Sequence, residues 1–392
     1  RGWCRLERLA RVMTSTEHAK VLLVDKECTL TETGAHDYLY DTVGSGQFSM
    51  EEDRQRLASC VLKLVEYRLN VLLDSGDLGG YRRTMSWSHR LLENLSTDLP
   101  HVRMQQSCPD LANPLESFLY LMRLRSPTKR ADGTIPLLLA TSLGDVTAVE
   151  ALLDARAAIA RTENRDIPAF HVMKGQTAVH MAVEQGHTGI LNLLLERRAS
   201  VQRRDGVGSP PLHKLAFTSN MEVGKILLEH RADINAYNYI GSNALGNSAL
   251  YNSYEAVKFL LESGASREAS GEGLNALHLS TIMGSDPDVV RLLLKEGVSP
   301  NDAVHLRVFG ILWWIHSACS VGYRLGGRGF SYKWGYHIWG ATPLMVAAMR
   351  NDPKATMLLL EYRADPEIRN RRGATEADLA EIFHPCRGMA RG

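Results

Sequence analysis

The chain has 392 residues with 45 basic and 44 acidic side chains, so its net charge is only +1. This length exceeds one ordinary domain, and the balanced charge gives no support to a nucleic-acid-binding protein. The six cysteines include no Cys-x-x-Cys pair, which argues against a zinc site or a disulfide framework and predicts reduced thiols in a cytoplasmic protein.

Residues 1–48 predict a helix that contains Trp3 and Glu7, followed by a buried strand at residues 20–24. The pattern Trp-x-x-x-Glu before a strand is similar to the distal part of a Toll/interleukin-1 receptor (TIR) domain, of which this segment would be a truncated α/β remnant. In enzymatic TIR domains the glutamate at this place acts in cleaving nicotinamide from NAD, so the resemblance implies that role for Glu7 alone. In the other interpretation Trp3 packs inside and Glu7 is solvated. Because the chain begins with arginine rather than methionine, we expect a fragment of a longer product, inactive without the missing strands.

Residues 49–131 are predicted to be helical. Ser49 to Glu52 has the form of a capping box, and Leu57, Val61 and Val65 then recur at helical spacing. Asn113-Pro114 begins another predicted helix just before the repeats described next. We expect this last helix to cap their exposed end.

A repeat of about 33 residues runs through the rest of the chain. Seven glycines are separated by steps of 42, 33, 33, 32, 67 and 33 residues, and each is followed two positions later by a tetrad such as Thr342-Pro343-Leu344-Met345. A Leu-Leu pair stands nineteen and twenty residues after each of the first six glycines. A period of this size predicts a stacked repeat array. The glycines are Gly133, Gly175, Gly208, Gly241, Gly273, Gly340 and Gly373, and the leucine pairs are 152–153, 194–195, 227–228, 260–261, 292–293 and 359–360.

Each part of the repeat has a physical purpose. The Thr or Asn of the tetrad caps a first helix, and a Pro beside it loses no hydrogen bond there. The leucines supply the apolar face of a second, antiparallel helix, which must be buried against neighbouring repeats. Tetrad and leucine pair together resemble the ankyrin repeat. The resemblance explains His180, His213 and His278 as residues that brace neighbouring repeats through hydrogen bonds, so we expect no metal site there.

The chain departs from the ankyrin pattern after the second helix, where the family usually has glycine. Arg156, Arg198, Arg231 and Arg363 stand there instead. This place needs a left-handed backbone, which costs a residue with a Cβ about 1 kcal/mol. The arginines are either solvated side chains or a basic track for an acidic partner.

Residues 303–339 interrupt the spacing within the 67-residue step. They contain neither the leucine pair nor the tetrad at the expected places, so we interpret them as an insertion rather than a degenerate repeat. Their aromatic and glycine content fits neither helix of the repeat, and the segment is predicted to be a disordered excursion, a translated non-coding sequence or a partner-binding loop. Its apolar stretch, residues 308–323, is shorter than the ~20 residues of a membrane-spanning helix. These aromatic residues and glycines include Trp313, Trp314, Tyr323, Trp334, Trp339, Gly322, Gly326, Gly327, Gly329 and Gly335.

The predicted fold is therefore mainly α, an ankyrin-repeat solenoid preceded by a helical region. Residues 132–302 are assigned to repeats 1–5 and residues 340–381 to repeat 6 with a capping half-repeat, and residues 382–392 form a tail.

The ankyrin resemblance implies a function in protein binding, through the hairpin tips between repeats and the exposed side of the first helices. We therefore predict a non-catalytic scaffold or adaptor with no cofactor, whose partner is a protein. In the alternative, the chain is the C-terminal part of a signalling protein in which a TIR-like region cleaves NAD. Tyrosine and arginine commonly dominate the binding energy of protein interfaces, and Tyr237 and Tyr239 are the leading candidates. In the alternative interpretation, which has equal weight, one of these tyrosines packs on its neighbouring hairpin. The predicted partner-binding residues are Met181, Glu184, Arg203, Arg204, Lys214, Phe217, Tyr237, Tyr239, Tyr251 and Arg267.

Overall fold

The computed structural model describes residues 21–24, 30–33, 51–92, 113–128, 135–162, 174–268, 274–282, 284, 286–305, 311–327 and 329–384. The chain divides into two compact units. The N-terminal unit comprises residues 1–182 and 189–199, and the C-terminal unit comprises residues 183–188 and 200–392.

The N-terminal unit contains one antiparallel hairpin, made of β1 (Val21–Val24) and β2 (Leu30–Thr33), with Val21 opposite Thr33. The strand predicted at residues 20–24 is therefore confirmed. Trp3 and Glu7 lie outside the described residues, so the TIR resemblance and the role of Glu7 stay predictions.

In the described part of the N-terminal unit, three helices precede the repeats. Leu57, Val61 and Val65 are completely buried along the first of them, as their spacing predicts. The third begins where the side chain of Asn113 accepts a hydrogen bond from the Leu115 N–H, 3.0 Å away. These helices are α1 (Glu51–Asp74), α2 (Leu78–Leu91) and α3 (Pro114–Leu121).

Helices α2 and α3 are joined by the buried side chain of Arg82. Its guanidinium donates to the carbonyl oxygens of Met122 at 2.8 Å and Arg123 at 2.7 Å, which lie just beyond the end of α3. A cation at the carboxyl end of a helix is electrostatically favourable. In turn α2 packs against α4 (Pro136–Leu143) and α3 against α5 (Val146–Asp154), the places that a preceding helix pair would occupy.

The remaining repeats continue as pairs of short helices. Within the C-terminal unit the first helices of successive repeats contact one another in a row, η1 to α9, α11, α15 and α17, and the second helices form a parallel row of α10, α12 and α16. The stacked helix pairs confirm the predicted mainly α repeat fold. The elements are α6 (Ala178–Gln185), α7 (Thr188–Glu196), the 3₁₀ helix η1 (Pro211–Phe217), α8 (Glu222–Glu229), α9 (Ala244–Leu250), α10 (Tyr254–Glu262), α11 (Ala276–Ile282), α12 (Pro287–Lys295), α13 (Ile311–Arg324), α14 (Phe330–His337), α15 (Pro343–Arg350), α16 (Pro353–Glu361) and α17 (Glu376–Phe383).

The tetrads begin the first helices, as predicted. Asn243, Thr342 and Thr375 each accept a hydrogen bond from a backbone N–H three residues later. Each cap satisfies one of the N–H groups that the first turn leaves unpaired.

The first leucine of each pair has the predicted buried position in five repeats and not in one, and the second leucine of repeat 6, Leu360, is exposed rather than buried. Leu152, Leu194, Leu227, Leu260 and Leu359 are all completely buried. In repeat 5, however, the buried pair is Leu293 and Leu294 rather than Leu292 and Leu293. Leu293 follows Leu260 by one full period of 33 residues, whereas the glycines of the same two repeats are 32 residues apart. The second helix therefore keeps the regular period although the glycine is displaced by one residue.

The arginines that replace glycine after the second helices have left-handed backbones. Arg156, Arg198, Arg231 and Arg363 have φ angles of 60°, 63°, 62° and 65°. In repeat 3 the N–H of Arg231 donates to the carbonyl of Leu228, and the next N–H donates to Leu227. This is a Schellman helix end, which confirms the conformation predicted for these positions.

The described residues of the segment 303–339 form two helices, α13 and α14, which corrects the expectation of a disordered excursion. Its glycines let α13 and α14 approach closely: a Cβ on Gly322 would lie 2.6 Å from the Tyr332 ring, and one on Gly335 would lie 2.3 Å from Cβ of Cys319. Glycine therefore serves helix–helix contact here rather than chain disorder.

The helical insertion replaces the tip of one hairpin and leaves its base intact. Val304 N–H donates to Ala341 O and Gly340 N–H donates to Val304 O, both at 2.9 Å. The uninterrupted hairpin makes the same two bonds, from Asn238 to Ser242 and from Gly241 to Asn238. Because α15 also packs directly on α11, the array continues across the insertion.

Among the described residues, no helix combines the length and apolar character needed to cross a membrane.

Candidate functional site

The hairpin tips of the C-terminal unit are fixed by a repeated acceptor. Asp205, Asn238 and Asn370 each accept two backbone N–H bonds, from the residues two and four positions later, through one side-chain oxygen. Side-chain acceptors of this kind mimic a backbone turn and hold its shape. The residues between each acceptor and the following glycine are thereby presented at the surface.

Tyr239 lies at one such tip with 57% of its surface exposed. Its backbone N–H donates to Val207 O on the preceding hairpin at 3.0 Å. Its ring covers Gly208, where a Cβ would lie only 2.5 Å from the ring. The interpretation that this tyrosine packs on its neighbour thus describes one side of the ring, and the rest of the side chain faces outward.

Tyr237 is 37% exposed and lies two residues before Tyr239. Arg204 donates from one guanidinium nitrogen to the carbonyls of both Tyr237 and Gly208. Arg204 thus links two neighbouring hairpins. The adjacent Arg203 is exposed.

Lys214 was predicted to face a partner, and this prediction is wrong. Its ammonium group lies 3.3 Å from Asp205 Oδ2, and both side chains are buried. A buried charge requires a partner, and here the hairpin acceptor Asp205 supplies it. The pair joins η1 to its own hairpin and takes the Lys214 charge away from the surface.

Phe217 and Tyr251 form an aromatic pair on the first helices of two successive repeats. Their ring centroids are 4.5 Å apart, and Tyr251 is exposed. Partial burial, with a smaller contribution from the nearby carboxylate of Glu184, raises the pKa of Tyr251. A phenol is protonated at neutral pH even without this shift, so the hydroxyl can donate a hydrogen bond.

Three further predicted residues fall in different places. Met181 and Glu184 are buried within α6, so the prediction that they are exposed is wrong, because these positions face the packed interior of the repeats. Arg267 is exposed, and its guanidinium lies 3.1 Å from Oε2 of Glu296, which follows the second helix of the next repeat. A surface ion pair of this kind contributes little to stability and leaves the arginine accessible.

Val207 and Ile240 were not among the predicted binding residues, but they are exposed apolar residues beside Tyr239. Each stands immediately before a repeat glycine. The sequence contained a signal for these residues, because an apolar residue also precedes the glycine of repeat 6, where Trp339 stands before Gly340. Together with the tyrosines they form the tip surface, defined here as Val207, Tyr237, Tyr239 and Ile240.

Two of the three tetrad histidines, His213 and His278, brace neighbouring repeats as predicted, whereas the bonds to His180 described here come from Thr177 of its own repeat. Nε2 of His213 donates to Ser242 O at 3.0 Å, and Nε2 of His278 donates to Ala341 O at 3.1 Å, each in the following repeat. Burial lowers the pKa of each to about 4, so both are neutral at physiological pH. Within the described part of the chain, no group of three His, Cys, Asp or Glu residues is arranged to hold a metal ion.

Comparisons with known proteins agree with this architecture. The family model "Ankyrin repeats (3 copies)" matches residues 111–205 and 212–304, and "Ankyrin repeat" matches residues 339–371. The curated serine/threonine-protein kinase 12 of Arabidopsis thaliana is 34% identical over 95 residues, which are 24% of this chain and 19% of the kinase. The chain thus spans about a fifth of the length of that relative.

Three solved ankyrin repeat structures are similar to this chain at low identity. The human ASB11 ankyrin repeat domain has a TM-score of 0.45 and 20% identity, covering 63% of this chain and 92% of that domain. The ankyrin repeat domain of Bcl-3, described as a unique member of the IkappaB family, has a TM-score of 0.45 and 22% identity, covering 66% and 100%. An ankyrin repeat domain from Acinetobacter baumannii has a TM-score of 0.40 and 23% identity, covering 59% and 98%.

Ankyrin repeats are protein–protein interaction domains and are generally not catalytic. The two matching models together cover more than half of the chain, and the stacked helix pairs carry the capped first helices and buried leucines that such repeats require. This chain belongs to the ankyrin-repeat family.

Proposed function

We propose that this protein is a non-catalytic adaptor that binds a protein partner with its C-terminal unit. The binding surface combines the tip surface with the aromatic pair Phe217 and Tyr251 on the first helices. The observation that carries the proposal is the exposure of three tyrosines on a backbone that hydrogen bonds hold in place.

A rigid tyrosine is well suited to binding. The Tyr239 ring already rests on Gly208, so a partner that covers it does not have to fix a mobile side chain. Tyrosine provides a large apolar ring together with a hydroxyl, and such residues dominate many protein interfaces.

The chemistry of the surface defines the partner's contact. Val207 and Ile240 favour an apolar side chain at the hairpin tips, and the protonated Tyr251 hydroxyl favours a hydrogen-bond acceptor such as a backbone carbonyl. Lys214 does not contribute a free charge, because Asp205 neutralises it. We therefore expect affinity to depend more on aromatic contact than on salt concentration.

The test is a double variant, Tyr237→Ala with Tyr239→Ala, measured against a partner first identified by cross-linking to the wild-type chain. Both side chains are exposed at the tip, so the fold should persist while affinity falls by more than ~1 kcal/mol. The matched control is Tyr254→Ala, which removes an equally accessible tyrosine from the start of a second helix. If the double variant binds as the wild type does, or if Tyr254→Ala weakens binding equally, the tip surface is not the site.

A further inference from the structure

The helical insertion is held against the C-terminal end of the array on one side. Arg372 donates to the Ser320 hydroxyl at 3.0 Å, and its guanidinium lies 4.2 Å from the centre of the Tyr336 ring. Lys333 donates to Ile382 O at 3.0 Å, at the end of α17. These contacts hold the helical hairpin of α13 and α14 against the end of the array.

Apolar side chains remain exposed on the insertion and concentrate around its turn. Leu325 is 83% exposed and Val321, one helical turn before it, is 57% exposed. Phe330 and Tyr332 are exposed on the other side of the Gly326-Gly327 turn. Positions 314, 321 and 325 share one side of α13, and Trp314 is exposed there too. We call Val321, Leu325, Phe330 and Tyr332 the turn patch.

The charged side chains within the insertion sequence all have one sign. The chain has 44 acidic residues, yet none lies between residues 303 and 339, where Arg307, Arg324, Arg328 and Lys333 are found. Of these basic residues, Arg324 and Lys333 lie on the two described helices, and the guanidinium of Arg350 lies 5.7 Å from the centre of the Phe330 ring. The turn patch therefore has basic neighbours, although α17, which contacts the insertion through Phe383, also carries Glu376, Asp378 and Glu381.

We propose that the turn patch docks onto the surface of an anionic lipid bilayer. Interfacial membrane binding needs apolar side chains that enter the headgroup layer and basic residues that are attracted to anionic lipids, and both are present here. Leu325 precedes the turn and Phe330 follows it, and both side chains are exposed. A flat bilayer surface can therefore contact both of them, and no groove is required. Tyrosine and tryptophan are the aromatic residues preferred at that depth.

This surface is separate in sequence from the protein-binding tip surface, and the proposal goes beyond the proposed adaptor function. A chain with both surfaces would bring a protein partner to a membrane. Neither test depends on the other, because the vesicle experiment needs no protein partner.

The test is co-sedimentation of the full chain with vesicles of phosphatidylcholine alone and of phosphatidylcholine mixed with phosphatidylserine. We expect binding to the mixed vesicles that weakens as salt is raised. The double variant Val321→Glu with Leu325→Glu should weaken the partition constant by about tenfold or more, because it removes two inserted apolar groups and adds two negative charges. Leu325→Ser, which adds no charge at the most exposed position, should weaken it by a smaller factor.

The matched control is Met357→Glu with Leu360→Glu on α16. It removes two exposed apolar side chains, one of them 72% exposed, and changes the net charge equally. The proposal requires this control to bind as the wild type does, with far-UV circular dichroism showing that every variant is folded. It is overturned if the wild-type chain does not sediment, if both double variants lose binding equally, or if phosphatidylcholine alone binds equally well. Binding of an oligothymidylate or polyglutamate probe in place of vesicles would likewise overturn it and assign the turn patch to another polyanion.

Discussion

His213 and His278 occupy the same place in two repeats but differ in one hydrogen bond. Nδ1 of His278 accepts from the Asn275 N–H at 3.2 Å, and Thr177 serves His180 in the same way. Three residues before His213 stands Pro210, which has no N–H. Within the described structure the buried Nδ1 of His213 consequently has no hydrogen-bond partner. A buried acceptor left unpaired reduces stability.

We therefore expect Pro210→Thr to stabilise the protein by about 1 kcal/mol, since threonine supplies both the missing N–H and a helix cap. The backbone suits it, because Pro210 has φ −73° and ψ 166° while Thr342, which also precedes a proline, has φ −90° and ψ 165°. Urea denaturation followed by circular dichroism measures the change. Pro210→Ala restores the N–H without the hydroxyl and should gain less. A threonine variant no more stable than the alanine variant would contradict the argument.

The second helix of repeat 3 illustrates how a single element depends on its neighbours. Leu227 on α8 is completely buried, and a helix of eight residues is not stable alone. Leu227→Ala should therefore destabilise the protein by about 2 to 5 kcal/mol, as a core cavity does. Leu360→Ala is the control, because Leu360 belongs to the leucine pair of repeat 6 but is exposed, so its loss should cost less than about 0.5 kcal/mol. Equal denaturation midpoints for the two variants would show that the register of α8 is misassigned.

The same elements show what a sequence can and cannot predict. Helix starts and buried leucines were predictable because capping and burial repeat with the period of the chain. The partner of Lys214 was not, because Asp205 lies nine residues earlier and only the folded hairpin brings the two charges together. The insertion was predicted to be irregular from its glycines, whereas Gly322 and Gly335 are needed where α13 and α14 touch. In these cases the residue type was informative only once its spatial neighbour was known.

For the molecule as a whole, buried histidines make stability depend on pH. Burial lowers the pKa of His213 and of His278 from 6.5 to about 4, and it lowers the pKa of His316 and His337 as well. The unfolded chain then binds protons that the folded chain excludes, so stability is complete above pH ~6.5 and falls as the pH drops toward ~4. For His213 and His278 the loss between about pH 7 and pH 5 is on the order of 2 kcal/mol each.

This pH dependence can be assigned to individual histidines by comparing urea midpoints at about pH 7 and pH 5. The wild type should lose stability on acidification, and His278→Gln should lose less, because glutamine keeps an N–H donor toward Ala341 O but does not titrate. The control is His305→Gln, which makes the same substitution at an exposed histidine at the base of the insertion. If acidification destabilises the wild type and His278→Gln by the same amount, His278 is not held neutral by burial. The loss of stability would then have to come from other groups, among them His213, His316 and His337, whose pKa values burial also lowers.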